Sequence, residues 1–185
     1  MALQRVAASG VIAVMAICAL MQDAQGDQGD PMKLSSEAFS AGGKIPERFT
    51  CEGANISPPL AWIGVPEGAR SLALVVDDPD APDPAKPQRT WVHWVVYNIP
   101  PEASGLGEAL KELPAGSIEG INDWGEVGYS GPCPPIGTHR YVHTLHALDS
   151  AIHAERPLSK RDLEAAMAGH IMATAQLVGT YRKGE

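Results

Sequence analysis

Four side chains carry most of the chemistry this sequence offers: Asp78, Asp80, His93 and His139. The aspartates sit in Asp77-Asp78-Pro79-Asp80-Ala81-Pro82, directly after the apolar run Ser71 to Val76. Each proline holds the residue before it extended, and residues two apart in an extended chain project to one side. The segment therefore predicts two carboxylates delivered to the end of a sheet. The plainer alternative is a polar turn whose aspartates accept backbone N–H groups. His93 lies in Trp91-Val92-His93-Trp94, where strand periodicity puts Trp91 and His93 on one face and Trp94 on the other. A strand histidine is commonly a packed core residue. His93 stands out because it starts the strand after the aspartates, so the two can meet at one sheet edge. His139 follows Gly131-Pro132-Cys133-Pro134-Pro135-Ile136-Gly137, a loop stiffened by prolines whose glycines permit close approach to a ligand. Tyr141 shares its side of the next strand.

A carboxylate that accepts a ring N–H orients an imidazole and favours its charged form, leaving the other ring nitrogen to donate to an anionic oxygen. Backbone N–H groups of the glycine- and proline-rich loop could add donors. The expectation is a small-anion pocket whose affinity weakens as pH rises through the histidine range. Two competing chemistries use the same cluster. Two aspartates and two histidines could ligate zinc or another divalent ion, or serve as general base and acid in hydrolysis. Against hydrolysis, no serine sits in a Gly-x-Ser-x-Gly elbow, and Ser130 reads as a turn residue. No glycine-rich phosphate loop runs into Lys and Ser/Thr. Ligand binding without catalysis, metal or cofactor is the expected function. His143 and His146 fall on opposite faces of one strand, His153 in a loop, and His170 on the apolar face of a helix as a packed residue. None of these is given a role, nor is the charged stretch Lys86 to Arg89.

The elements that must position these residues are mostly strands. Leu34 to Phe39, Ser71 to Val76, Trp91 to Ile99, Tyr141 to Leu148 and Gln176 to Tyr181 have strand length and composition. Ser71 to Val76 is apolar without alternation, which fits a strand buried on both faces. Cys51 to Pro59 and Ile121 to Gly137 are loops; one as long as the second is usually functional. Glu102 to Glu119 is weakly patterned. Ser159 caps a helix, with Asp162 completing a capping-box-like pattern and Leu163, Met167 and His170 at helical spacing. The expected fold class is all-β, a sandwich of two antiparallel sheets with a peripheral helix near the C-terminus. A chain of 185 residues favours one domain, and a net charge of −8 without a basic run disfavours general nucleic-acid binding.

Arg5, the apolar run Val11 to Met21 and the small residues of Ala24-Gln25-Gly26 read as a secretory signal over residues 1–26. A retained membrane anchor is the alternative. Cys18 is discounted as a lipidation site because Ile17 precedes it. The mature domain is then 27–185, exported to a periplasm or secreted, with no membrane span. Export leaves Cys51 and Cys133 as an even pair in an oxidising compartment, and one disulfide is expected between them. Two buried free thiols are the other possibility.

In this order, the pieces resemble the phosphatidylethanolamine-binding protein family, most closely its bacterial Raf-kinase-inhibitor-like branch. The resemblance runs through Phe49-Thr50-Cys51, Asn55-Ile56-Ser57-Pro58, Leu60-Ala61-Trp62, Asp78 to Pro82 and Trp91 to Trp94. It continues with Asn122-Asp123-Trp124-Gly125, Gly131 to Gly137, His139-Arg140-Tyr141 and Leu177-Val178-Gly179-Thr180-Tyr181. It implies Greek-key connections between the sheets and a pocket at one end of the sandwich for phosphate-like anions, a phospholipid headgroup among them. Asp78, Asp80, His93 and His139 would line it, Trp91 and Tyr141 would form walls, and Pro134 and Pro135 part of the rim. The stretch between Pro135 and His139 is shorter than in eukaryotic members, which alters the expected shape of the mouth. Family members include regulators of kinases and serine proteases. Modulation of an unidentified protein partner and a homodimer are the associations this leaves open; kinase regulation is not carried over to an exported chain.

Overall fold

Strand-forming runs separated by turn residues cannot bury their apolar faces singly, so they pair into sheets that cover one another. The computed structural model describes residues 31–185. The expected signal segment and Cys18 lie outside the described residues. The strands are β1 (Lys33–Ser35), β2 (Leu60–Ile63), β3 (Ser71–Asp78), β4 (Trp91–Ile99), β5 (Gly105–Leu106), β6 (Ile118–Glu119), β7 (Thr138–Leu148) and β8 (Ile171–Arg182), with one helix, α1 (Lys160–Met167). They form two antiparallel sheets, one ordered β1-β2-β5 and the other β6-β4-β3-β7-β8.

The larger sheet is covered on both faces. On the inner face, Leu72, Leu74, Val96 and Leu145 meet Leu34, Trp62 and Leu106 of the smaller sheet. On the outer face, Ala73, Val75, Val95 and Tyr97 pack under Leu163 and Met167 of α1. This explains why β3 is apolar at successive positions: both sides of its pleat are core.

Several boundaries differ from the sequence reading. The first strand stops at Ser35, where the Ser36 hydroxyl donates to the Pro59 carbonyl at 2.6 Å and the chain leaves the sheet. β5 and β6 are two residues each, too short to show a period. The helix begins as its cap predicts, the Ser159 hydroxyl accepting from the Asp162 N–H at 3.2 Å. It ends earlier than expected, because Gly169 at φ +83° takes the left-handed conformation that terminates helices. His170 therefore lies beyond the helix and is not a packed residue; it donates to Asp149 at 2.7 Å from an exposed position.

β7 carries a second buried histidine with a measurable consequence. His143 faces the inner core beside the Phe39 ring, at 5.5 Å between centroids. Burial pushes its pKa down to about 4, below the ordinary histidine value of roughly 6.5 that applies to the unfolded chain. The unfolded state thus takes up a proton first as pH falls, and the neutral core position opposes uptake. Stability contributed by neutral His143 is complete above about pH 6.5 and is lost progressively towards pH 4, by about 3 kcal/mol. Urea unfolding at pH 7.5, 5.5 and 4.5 should show that decline, and His143→Leu should make it shallower. An unchanged slope in the variant would refute the assignment to this residue.

Candidate functional site

The inner row of β3, Leu72, Leu74 and Val76, ends in a charged residue, Asp78. Asp78 pairs with Trp91 of β4 on one side, and the pairing of Asp77 with Val142 brings it alongside Tyr141 of β7 on the other. The last inward position of the central strand is thus a carboxylate between two aromatic residues.

β4 reaches this place through a bulge. Val76 pairs with Trp94 but Asp77 pairs with Val92, so His93 is an extra residue without a counterpart on β3. The regular alternation expected from the sequence would put Val92 and Trp94 on one face. Instead Trp94 joins the inner core and Val92 the outer one. His93 and Trp91 both line the cavity at the end of the sheet. The His93 Nδ1–H donates to the Ser130 carbonyl at 2.6 Å, and its ring meets the rings of Trp124 and Tyr141 edge-on, each at 5.1 Å. Burial lowers its pKa, outweighing the carbonyl and Asp78 and Asp77, which pull the other way. The neutral ring, with its proton on Nδ1, turns Nε2 into an acceptor.

Asp78, Asp80 and His139 are engaged with one another and with their neighbours. Asp78 accepts from the His139 Nδ1–H at 2.7 Å and from the Asp80 backbone N–H at 2.8 Å. His139, fully buried, donates from Nε2 to the Ile136 carbonyl at 3.0 Å. Asp80 accepts from the Arg140 N–H and Nε, each at 2.9 Å, and from its Nη2 at 2.6 Å. That guanidinium is the first cause holding the Asp80 carboxyl below its usual range. Asp78 therefore does what a turn aspartate does and also faces the cavity. Asp80 and His139 stand behind the wall, with both ring nitrogens of His139 occupied.

The cavity has a volume of about 280 Å³. Its floor and inner walls are Asp78, His93, Trp91 and Tyr141, and one rim is Cys133, Pro134 and Pro135. Arg89, Trp124, Ala81 and Pro82 complete the lining. Two wall residues hold buried polar atoms with no partner among the described residues, Trp91 Nε1 and the Tyr141 hydroxyl. Burial is the first cause raising the Tyr141 pKa, so the phenol stays protonated. Both donors belong to residues that line the cavity, while the two atoms themselves are buried.

The long loop before β7 is ordered by its own side chains. Asn122 is buried, accepts from Trp124 N–H at 3.0 Å and Glu126 N–H at 3.1 Å, and donates to Gly128 O at 3.1 Å and Ser130 Oγ at 3.2 Å. Its amide is saturated, and it places Trp124 at the mouth. Gly131 passes so close to the Glu47–Phe49 turn that a Cβ there would lie 2.2 Å from the Phe49 carbonyl oxygen. Its N–H donates to Asn55 at 2.8 Å. Cys51 and Cys133, on the same two segments, hold their sulfurs 2.08 Å apart, at bridging distance.

Arg89, Trp124, Arg140 and Asn122 were given no site role from the sequence. Trp124, an aromatic residue in a polar glycine-rich loop, was the available signal for the mouth. Arg140 follows His139 and so faces away from it, which hid its reach around to Asp80. Among the described residues no three His, Cys, Asp or Glu side chains form a group able to hold a metal ion. The one thiol-derived atom on the wall, Cys133 Sγ, sits at bridging distance from Cys51.

Comparison with known proteins finds relatives of this fold. The family model described as phosphatidylethanolamine-binding protein matches residues 35–182. A UPF0098 protein from Methanothermobacter thermautotrophicus is 51% identical over 156 residues, covering 83% of this chain and 100% of that one. A crystal structure of a phosphatidylethanolamine-binding protein homolog from Chlamydia trachomatis superposes with TM-score 0.77 at 45% identity, covering 83% of this chain and 98% of that chain. Escherichia coli YbcL, described as a member of the mammalian family, superposes with TM-score 0.74 at 32% identity, covering 82% and 98%.

Proposed function

The chain belongs to the phosphatidylethanolamine-binding protein family, and from that premise we propose that its pocket binds a small, phosphate-like anion. One observation carries the reading: the Trp91 N–H and Tyr141 O–H are buried, unpartnered donors in residues that line the cavity. A buried donor without an acceptor costs about 1–3 kcal/mol, so such groups call for a ligand that accepts. An anion satisfies both at once, and charged acceptors make the stronger hydrogen bonds. Asp78 does not repel it as a free carboxylate would, because both its oxygens already accept internal hydrogen bonds. A volume of about 280 Å³ suits a headgroup-sized ligand.

The function is binding, not turnover. The wall offers a protonated phenol and a neutral imidazole, and no activated nucleophile. Residues 1–26 are read as a secretory signal and 27–185 as the exported domain, so the ligand is met outside the cytoplasm.

Titration calorimetry with inorganic phosphate tests this. Saturable one-site binding is expected, weakened at least tenfold by Trp91→Phe combined with Tyr141→Phe, which removes both donors and keeps an aromatic ring at each position. Affinity for sulfate, whose charge does not change over this range, should rise at acidic pH, because His93 gains a proton and Nε2 becomes a donor. Its lowered pKa moves that gain below the ordinary histidine range. Equal affinity in wild type and double variant would count against the assignment.

A further inference from the structure

One cation at the mouth was left without a role. Residues 82–89 leave the end of β3 and return to it: the Gln88 and Arg89 N–H groups both donate to the Ala81 carbonyl, at 2.9 and 3.2 Å. This pins Arg89 on the rim two residues before β4. Its guanidinium lies over the Trp91 ring, 4.0 Å from the centroid. That contact holds a long side chain in one orientation at little cost to its hydrogen bonding, because stacking uses the guanidinium face and leaves the N–H edge free.

Other ionisable groups of the site are engaged within the protein: Asp78 is hydrogen-bonded to His139, and Asp80 is paired with Arg140. Arg89 is different. Among the described residues it has no carboxylate at ion-pair distance, yet it lines the cavity. Among the described residues, Arg89 thus brings to the cavity lining a cation that no carboxylate of the protein neutralises.

A terminal phosphate group has three free oxygens and, above its second pKa near 6, close to two negative charges. A phosphodiester has two non-bridging oxygens and one charge. An unneutralised cation at the rim attracts the doubly charged group more strongly than the singly charged one. Guanidinium and phosphate also pair through two parallel N–H···O bonds. Resting on the anion reading above, we propose that Arg89 is the charge-selecting residue of the pocket, and that the pocket takes a terminal phosphomonoester in preference to a phosphodiester.

Methyl phosphate and dimethyl phosphate are probes of nearly equal size that differ in charge and in free oxygens. Calorimetry at pH 7.5 with the mature chain should show methyl phosphate binding at least tenfold more tightly. Arg89→Ala should weaken methyl phosphate about tenfold, dimethyl phosphate much less, and make methyl phosphate binding less sensitive to salt. Arg89→Lys should restore part of the loss, because it returns the charge without the planar fork. Lys86→Ala removes an exposed charge three residues away that does not line the cavity, and should leave both affinities within about twofold. Equal binding of the two probes by the wild type, or Arg89→Ala behaving as wild type, would overturn the selectivity and leave the anion site standing. Failure of the wild type to bind either probe would overturn the anion reading and this inference with it.

Discussion

Asp78→Ala is expected to lower the stability of the domain by about 3–5 kcal/mol and to abolish phosphate binding, because breaking a buried pair leaves its partner uncompensated. His139 and Asp78 have side-chain exposures of 0% and 5%, so water cannot replace the lost carboxylate. The His139 Nδ1–H and the Asp80 N–H both lose their acceptor. For a domain of this size the loss lowers Tm by roughly 10 °C. Binding fails for a second reason: Asp78 keeps Trp91 and Tyr141 apart across the sheet, and both pocket donors belong to those residues. Asp80→Ala is the informative contrast. Its partner Arg140 has a side chain 58% exposed and can turn to water, so the loss should be nearer 1–2 kcal/mol. Urea unfolding of the two variants with calorimetry on each checks both effects. An Asp78→Ala protein with the wild-type midpoint would show that the carboxylate is not a structural keystone.

Loss of the Cys51–Cys133 link is expected to be comparably severe. The two residues are 82 apart in sequence, and closing a loop of that length in the unfolded chain corresponds to about 4 kcal/mol in the chain-entropy model. With that bridge formed, residues 27–185 should contain no alkylatable thiol, and the Cys51→Ser, Cys133→Ser double variant should melt roughly 10 °C lower. The link has a local consequence besides stability. Cys133, Pro134 and Pro135 form one rim of the cavity, and Cys51 anchors that rim to the Glu47–Phe49 turn. At temperatures where the variant is still folded, its phosphate affinity should fall, because a looser rim must be ordered on binding. Cys51 is exposed, so a small dithiol should convert wild type to the same behaviour. Two alkylated thiols in the native protein would remove the basis of this prediction.

Much of the architecture was legible because it rests on local signals. β4 coincides with Trp91 to Ile99, where β-branched and aromatic residues run up to Pro100-Pro101. The unbroken apolar stretch of β3 announced a strand covered on both sides, and Ser159 with Asp162 marked the helix start. What escaped depends on long-range geometry. The covering sheet draws on β5, a two-residue strand, and β2 is only four residues long. The orientation of Trp94 followed from a bulge that no alternation pattern reveals. At the site, residue types identified the cluster, yet they could not divide it into wall and support. Asp78 and Asp80 look equivalent in sequence; the fold gives one to the cavity and the other to Arg140. Arg89 carries no signal of its own in the sequence, because a rim position is set by where the loop returns, through two hydrogen bonds to Ala81.

The extra residue at His93 makes the length of β4 part of its function. Deleting one residue here would leave a more regular strand with a better ladder, and it would rotate either Trp91 or Trp94 to the wrong side of the sheet. A single-residue gap at this point therefore separates a chain that has the pocket from one that has only the sandwich, even where every other motif is retained. Relatives can drift widely in their connecting loops, but the count from Trp91 to Trp94 should be held fixed wherever the pocket is kept.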